Sequence, residues 1–251
     1  MRRFGLIGYP LGHSFSASFF SEKFKAGGID AEYRNYPLEN IANFPDLLKQ
    51  EADLEGLNVT VPYKQEIISY LHTLSPNAKA IHAVNTISFR KSEDGVELAG
   101  DNTDIIGFRR SLEEHLESWH TSALVLGTGG SSRAVTYVLE RLGIGYTLLS
   151  RSAGEKRLTY SELDPKQVAA STLIINTTPL GMHPRIFTYP DLPYQAITRR
   201  HLLFDLVYNP EKTEFLSRGE AQGALTVNGH DMLIYQAEAS WDIWNNPLQI
   251  N

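Results

Sequence analysis

The run GLNVTVPYK, residues 56–64, delivers a lysine to a place where folding has no use for one. Leu57, Val59 and Val61 alternate with Asn58 and Thr60, the period of a half-buried strand, so the polar pair shares one face and the aliphatic residues the other. Pro62 halts the ladder, and Lys64 then emerges beyond the strand end, the side on which open α/β sheets bind ligands. An ammonium there can stabilise negative charge that develops on a ligand oxygen and supply a proton to it. Asp101, in GDNTD (100–104), completes a plausible acid/base pair with it. The plain alternative for a lone lysine is a solvated helix start, a poor place for a cation. Asn58 reads as a structural hydrogen-bonding residue. Asn102 and Asp104 read as shaping a hinge, with Asp104 capping a helix that begins near Ile105. Ser14 and Ser16, two hydroxyls beside a helix start, suit a carboxylate; either one alone would serve as an N-cap. His13 beside them reads as structural.

LVLGTGGSSR follows an apolar strand and opens a helix, the context a dinucleotide turn requires. Gly127 permits the tight turn. Gly129 and Gly130 let backbone amides approach a pyrophosphate at the positive end of the helix. Ser132 holds the third glycine position of the usual pattern, and Arg133 in the first turn would welcome an anion. An NAD-preferring site places an acid about 20 residues further on. Here stand Ser150, Arg151 and Ser152, followed by Lys156 and Arg157. A guanidinium matches a 2′-phosphate bidentately, so the cofactor reads as NADP rather than NAD. Asn176, Thr177 and Thr178 end another apolar strand and either meet the cofactor or simply terminate the strand.

These groups need elements to hold them. Strand and helix signals alternate along the whole chain, which predicts an α/β protein with largely parallel sheets. Phe15, Phe19, Phe20 and Phe24 stripe a first helix closed by Gly27 and Gly28, and Pro45 starts a second. Asp94-Gly95 marks a hairpin turn between AVNTISF and GVELAGD, and a helix is expected through DIIGFRRSLEEHLES. The domain break is expected near Asp101–Asp104, giving domains 1–102 and 103–228, with 229–251 packing back on the first. Trp241 and Trp244 read as packing anchors. A net charge of −6 without any basic run argues against nucleic acid and anionic membrane surfaces as partners. The absence of cysteine excludes disulfides and thiolate chemistry and fits the cytoplasm. No apolar run approaches the roughly 20 residues of a membrane helix, and the histidines show no metal-ligand spacing.

HSFS (13–16), NVTVPYK (58–64), AVNT (83–86), GDNTD (100–104), GTGGSSR (127–133), NTTPLGM (176–182), DLVYNP (205–210) and NGHDMLIYQ (228–236) stand in an order that resembles the shikimate dehydrogenase family, over essentially the whole chain. The resemblance implies an N-terminal α/β substrate domain, a Rossmann-like NADP-binding domain and a C-terminal helix returning to the first. It implies reversible, NADPH-dependent reduction of 3-dehydroshikimate to shikimate. By similarity Ser14 and Ser16 would hold the substrate carboxylate, while Thr60, Asn85, Asp101 and Gln236 would bind its hydroxyls. Lys64 would be catalytic with Asp101 beside it. Tyr208 and Gly229 would line the substrate or nicotinamide end, with Met182 on a loop near the nicotinamide. The expected partners are this small molecule and the cofactor, in a monomer or homodimer.

Three departures stand out. Ser150-Arg151-Ser152 replaces the usual Asn-Arg-Thr, Ala17 replaces a proline after the serine pair, and residues 152–171 leave little room for the usual helix and strand. Two other readings compete: a quinate/shikimate dehydrogenase with NAD use, which an acid at position 151 would favour, and a non-catalytic metabolite sensor, which loss of Lys64 or Asp101 would favour.

Overall fold

Apolar alternation along the first hundred residues builds a mixed sheet. The computed structural model describes residues 1–12, 14–93, 95–154 and 157–246. His13, Asp94 of the expected hairpin turn and Lys156 of the basic loop lie outside the described residues. Two compact units result: Met1–Ile106 with the chain from Gln236 onward, and Gly107–Tyr235.

In the first unit, β1 (Arg2–Gly8), α1 (Phe15–Gly27), β2 (Ala31–Pro37), α2 (Phe44–Gln50), β3 (Leu54–Val59), β4 (Thr73–Leu74), α3 (Pro76–Ile81), β5 (Thr86–Ser92) and β6 (Gly95–Asp101) come in order. The sheet runs β2-β1-β3-β5-β6-β4. β1 pairs parallel with β2 and β3, whereas β5 is antiparallel to both β3 and β6. β3 is therefore central, and both its faces are covered. Leu57 and Val59 join Ile7, Phe44, Ile67 and Ile87 in one apolar layer. On the opposite face Phe4, Leu6, Phe20, Phe24 and Tyr33 pack with Ala237 and Trp244. The strand stops at Val59, one step short of the expected alternation. Val61 belongs to neither layer and is 68% exposed, because the ladder has already ended when the chain reaches it.

α4 (Asp104–Glu113) leads into the second unit and ends several residues before the expected Ser118. There β7 (Ser122–Leu126), α5 (Gly130–Arg141), β8 (Gly145–Ser150), β9 (Arg157–Thr159), α6 (Pro165–Ala170), β10 (Leu173–Asn176), β11 (Leu202–Asp205), α7 (Glu214–Glu220), β12 (Leu225–Val227) and α8 (His230–Asn245) succeed one another. The sheet, β12-β11-β10-β7-β8-β9, is parallel throughout. Its near-continuous apolar strands, such as Leu202–Asp205, are buried along their length, as helices on both faces demand. Residues 152–171 find more room than expected: a three-residue strand, a 3₁₀ turn at Tyr160–Glu162 and the six-residue α6, capped by Asp164, all fit there. From Gln236, α8 belongs to the first unit, where Trp244 stacks on Phe4 at 4.7 Å and donates its indole N–H to the Ile87 carbonyl at 3.0 Å.

Candidate active site

β3 ends where it meets β5, and the polar residues gather at that end. Asn58 is buried on the face that α8 covers. It accepts from the Tyr33 hydroxyl at 2.8 Å and donates to the Asn85 carbonyl, Thr86 Oγ1 and Ser240 Oγ. That is the structural role its sequence position suggests. Thr60 continues the chain with its N–H bonded to the Ile7 carbonyl. Lys64 then sits in a turn before the 3₁₀ segment Glu66–Tyr70, its carbonyl receiving the Val84 N–H at 2.7 Å.

The Lys64 ammonium does not pair with Asp101, as expected, but with Asp104: Nζ lies 2.5 Å from Oδ2. Asp104 opens α4, so the carboxylate meets the lysine from the positive end of a helix. Asp101, three residues earlier, is still on β6. Its Oδ1 accepts from Ser75 Oγ at 2.8 Å and from the Asn102 N–H at 2.6 Å, and its Oδ2 is without a partner among the described residues. Asn85 links the two regions. Its Oδ1 accepts from the Thr103 N–H and from the Thr86 and Thr103 hydroxyls. Its Nδ2 donates to Thr103 Oγ1, to Asp104 Oδ1 at 2.9 Å and, more loosely, to Gln236 Oε1 at 3.5 Å. Gln236 is buried on α8 rather than on the surface where a lone helical glutamine usually lies.

Of the serine pair, Ser14 is the N-cap of α1, accepting from the Ala17 N–H at 3.2 Å and donating to Asn35 Oδ1 at 2.9 Å. Ser16 is hydrogen-bonded to the Tyr33 phenol, whose pKa burial drives upward. The structure thus joins Lys64 to Asn85 through Asp104, Asn85 to Gln236, and Ser16 to Asn85 through Tyr33 and Asn58, while the Asp101 side chain stands in a separate contact with Ser75.

In the second unit the glycine turn opens a cavity of about 550 Å³. Gly127, Gly129, Ser150, Arg151, Ser152 and Thr177 line it, together with Arg157, Tyr160 and Arg185. Gly127 has φ of +106°, and a Cβ there would lie 2.7 Å from Thr177 Oγ1, so both conformation and space demand glycine. A Cβ at Gly129 or Gly130 would meet nothing within 4 Å, so there is open space beside the start of α5. Such a cradle, ringed by arginines, fits a dinucleotide phosphate. Tyr160 and Arg185 were not singled out from sequence. Tyr160 comes from the segment that looked too short to contribute, and Arg185 lies beyond NTTPLGM, outside any phosphate-binding spacing.

Asn176, expected among the cofactor contacts, is fully buried and does not line the cavity. It donates to Asp205 Oδ1 at 2.9 Å and accepts from the Thr178 N–H and hydroxyl. It holds the loop from beneath. Asp205 also accepts from the Val207 N–H and the Thr213 hydroxyl, yet burial prevails over these bonds and pushes its pKa up to about 6. Tyr208, a few residues on, is half-buried, and burial raises its pKa too. Gly229 packs against the Leu206 carbonyl, 2.3 Å from where a Cβ would stand. Met182 is 46% exposed and lies outside the cavity lining. Among the described residues no cluster of histidine or carboxylate side chains suits a metal, and no helix is long and apolar enough to cross a membrane.

Residues 6–87 match the shikimate dehydrogenase substrate binding domain. The shikimate dehydrogenase (NADP(+)) of Halothermothrix orenii is 39% identical over an alignment covering 96% of this chain and 89% of its own. Shikimate dehydrogenase 1 of Peptoclostridium difficile has a TM-score of 0.82 at 35% identity, covering 98% and 92% of the two chains. The shikimate 5-dehydrogenase of Thermus thermophilus, solved in complex with NADP(H) and shikimate, gives 0.85 at 28% identity over 98% and 94%. The likeness runs through both units and through the returning helix, at an identity that fixes descent as well as fold: the chain belongs to the shikimate dehydrogenase family.

Proposed function

We propose that the protein catalyses the reversible, NADP-dependent interconversion of 3-dehydroshikimate and shikimate, a step of aromatic amino-acid biosynthesis. The observation that carries this is Lys64, held at the end of β3 by a carboxylate and linked through it to Asn85. NADPH supplies the hydride when bound. The Lys64 ammonium stabilises the charge that develops on the ketone oxygen and gives it a proton. Asp101 offers its uncommitted oxygen to a substrate hydroxyl, and Thr60, Asn85, Gln236 and Tyr208 orient the others. Ser14 and Ser16 receive the carboxylate, each turning a hydroxyl hydrogen away from its present partner, Asn35 or Tyr33. In the second unit Gly127, Gly129 and Gly130 admit the pyrophosphate, and Ser150, Arg151 and Ser152 hold the 2′-phosphate. Thr177 lines the same cavity. Asn176 supports that loop, and Met182 and Gly229 belong to the nicotinamide side.

The test monitors reduced nicotinamide by absorbance, with shikimate and quinate each paired with NADP and NAD. Turnover confined largely to shikimate with NADP is expected. Comparable turnover of quinate or of NAD would replace this reading by a broader quinate/shikimate dehydrogenase. NADPH binding with no turnover in any pairing would make the protein a sensor.

A further inference from the structure

We infer that Ser240 is a positioning residue for Gln236: its hydroxyl anchors α8 against β3 and β5 and so fixes where Gln236 meets a substrate hydroxyl. This rests on the part given to Gln236 in the dehydrogenase reading above. Gln236, Ser240 and Trp244 stand four residues apart on α8, which places them on one face of the helix. Trp244 pins the far end through its indole N–H on the Ile87 carbonyl. Gln236 lies two turns away, about 12 Å along the axis, and a helix held at one point can still pivot. Ser240, one turn from Gln236, supplies the second point. It is fully buried. Its one hydrogen goes to the Gln236 carbonyl at 2.9 Å, so toward the sheet its oxygen can only accept. It accepts from Asn58 Nδ2 at 3.0 Å and lies 2.9 Å from Thr86 Oγ1 and 3.1 Å from Thr103 Oγ1. Those three residues come from β3, from β5 and from the chain between β6 and α4. Each is itself held: Asn58 Oδ1 accepts from the Tyr33 hydroxyl, and both threonine hydroxyls reach Asn85 Oδ1, at 3.0 and 3.2 Å. Asn85 in turn is the residue whose amide lies 3.5 Å from Gln236 Oε1. One buried network therefore holds the backbone of Gln236 through Ser240 and its side chain through Asn85, and directional bonds of this kind specify a single arrangement.

Ser240→Ala tests this. Alanine is the better helix former, so α8 itself is not weakened, and Asn58 Nδ2 keeps the Asn85 carbonyl and Thr86 Oγ1 as acceptors. Ser240→Cys, of similar size but a weak hydrogen-bonding group, is the second variant should the first fail to fold. Gln236→Ala and the double variant Gln236→Ala/Ser240→Ala complete a cycle. In steady-state oxidation of shikimate with NADP, Ser240→Ala is expected to raise KM for shikimate about 3- to 10-fold, the worth of one neutral hydrogen bond, with kcat within about twofold of the parent. Added to Gln236→Ala it is expected to change KM by less than about twofold, because the group it positions is already gone. A purely structural role would raise KM by the same factor in both backgrounds. An unchanged KM, a loss confined to kcat, or factors that multiply in the double variant would overturn the role given to Ser240. A parent protein that turns over neither shikimate nor quinate would sink the dehydrogenase reading instead. The same cycle is then read from the Kd for shikimate by calorimetry, and a parent that does not bind shikimate overturns both.

Discussion

Replacing Lys64 by alanine removes charge stabilisation and proton supply together. Its kcat should fall by roughly 100-fold or more with KM for shikimate nearly constant, and a mainly KM effect would refute the catalytic role. Arg151→Ala should lower kcat/KM for NADP by about 10- to 100-fold and leave the NAD reaction almost untouched, since only the 2′-phosphate loses its charge-assisted bonds. Parallel losses with both cofactors would place Arg151 elsewhere. Asp205 gives a pH signature. Its folded pKa of about 6 lies above the ordinary 3.8, so the folded state holds this proton more tightly than the unfolded chain does. The stabilisation is complete below pH 3.8 and is lost as pH rises through 6. Relative to Asp205→Asn, the parent should lose up to roughly 3 kcal/mol of unfolding free energy between pH 4 and 7. A difference that stays flat or grows over that range, in denaturant titrations of both proteins, would contradict it. At this scale the sequence makes Lys64 and Arg151 readable, because a residue just past a strand end or a glycine turn stands where ligands bind. It leaves the lysine's partner undecided. Asp101 and Asp104 are three residues apart, one ending β6 and the other opening α4, and the choice depends on how the chain passes between them, which no local spacing encodes.

Gly56 and Trp244 show how elements are matched. A Cβ on Gly56 would stand 2.3 Å from the indole nitrogen, so α8 approaches β3 as closely as it does only because that residue is glycine. Gly56→Ala should cost about 1–3 kcal/mol by overpacking, and Trp244→Ala about 3–5 kcal/mol by leaving a cavity beside Phe4 and Phe20. Thermal melts of the two variants check both, and an unchanged Gly56→Ala midpoint would mean that the helix can move aside. Most strands are legible from their apolar runs, since β7, β10 and β11 are buried on both faces and read as such. The end of β3 is less so. Alternation carries on to Val61, but the pairing that makes a strand has already stopped at Val59. The stretch 152–171 is misread for another reason. Its strand and helix are too short to show a period, and the capping boxes at Thr159 and Asp164 stabilise what length does not.

At the scale of the whole molecule, one unit is an uninterrupted stretch and the other is completed from both ends of the chain. Residues 107–235 contain their sheet and apolar core and should fold as an isolated fragment with a cooperative melt. A chain cut after Tyr235 lacks Ala237, Trp241 and Trp244, and its first unit should lose protection against limited proteolysis while the second keeps it. Equal protection of both would show the aromatic layer to be dispensable. The returning helix has a consequence for biogenesis. As the ribosome releases the chain, β1, α1 and β2 emerge well before α8, yet the layer of Phe4, Phe20 and Phe24 has no cover until Trp241 and Trp244 are made. Domains ordinarily mature in the order of synthesis. Here the order inverts: the later segment can finish during translation, while the first-made half waits, its aromatic face open to chaperones, until α8 has been made.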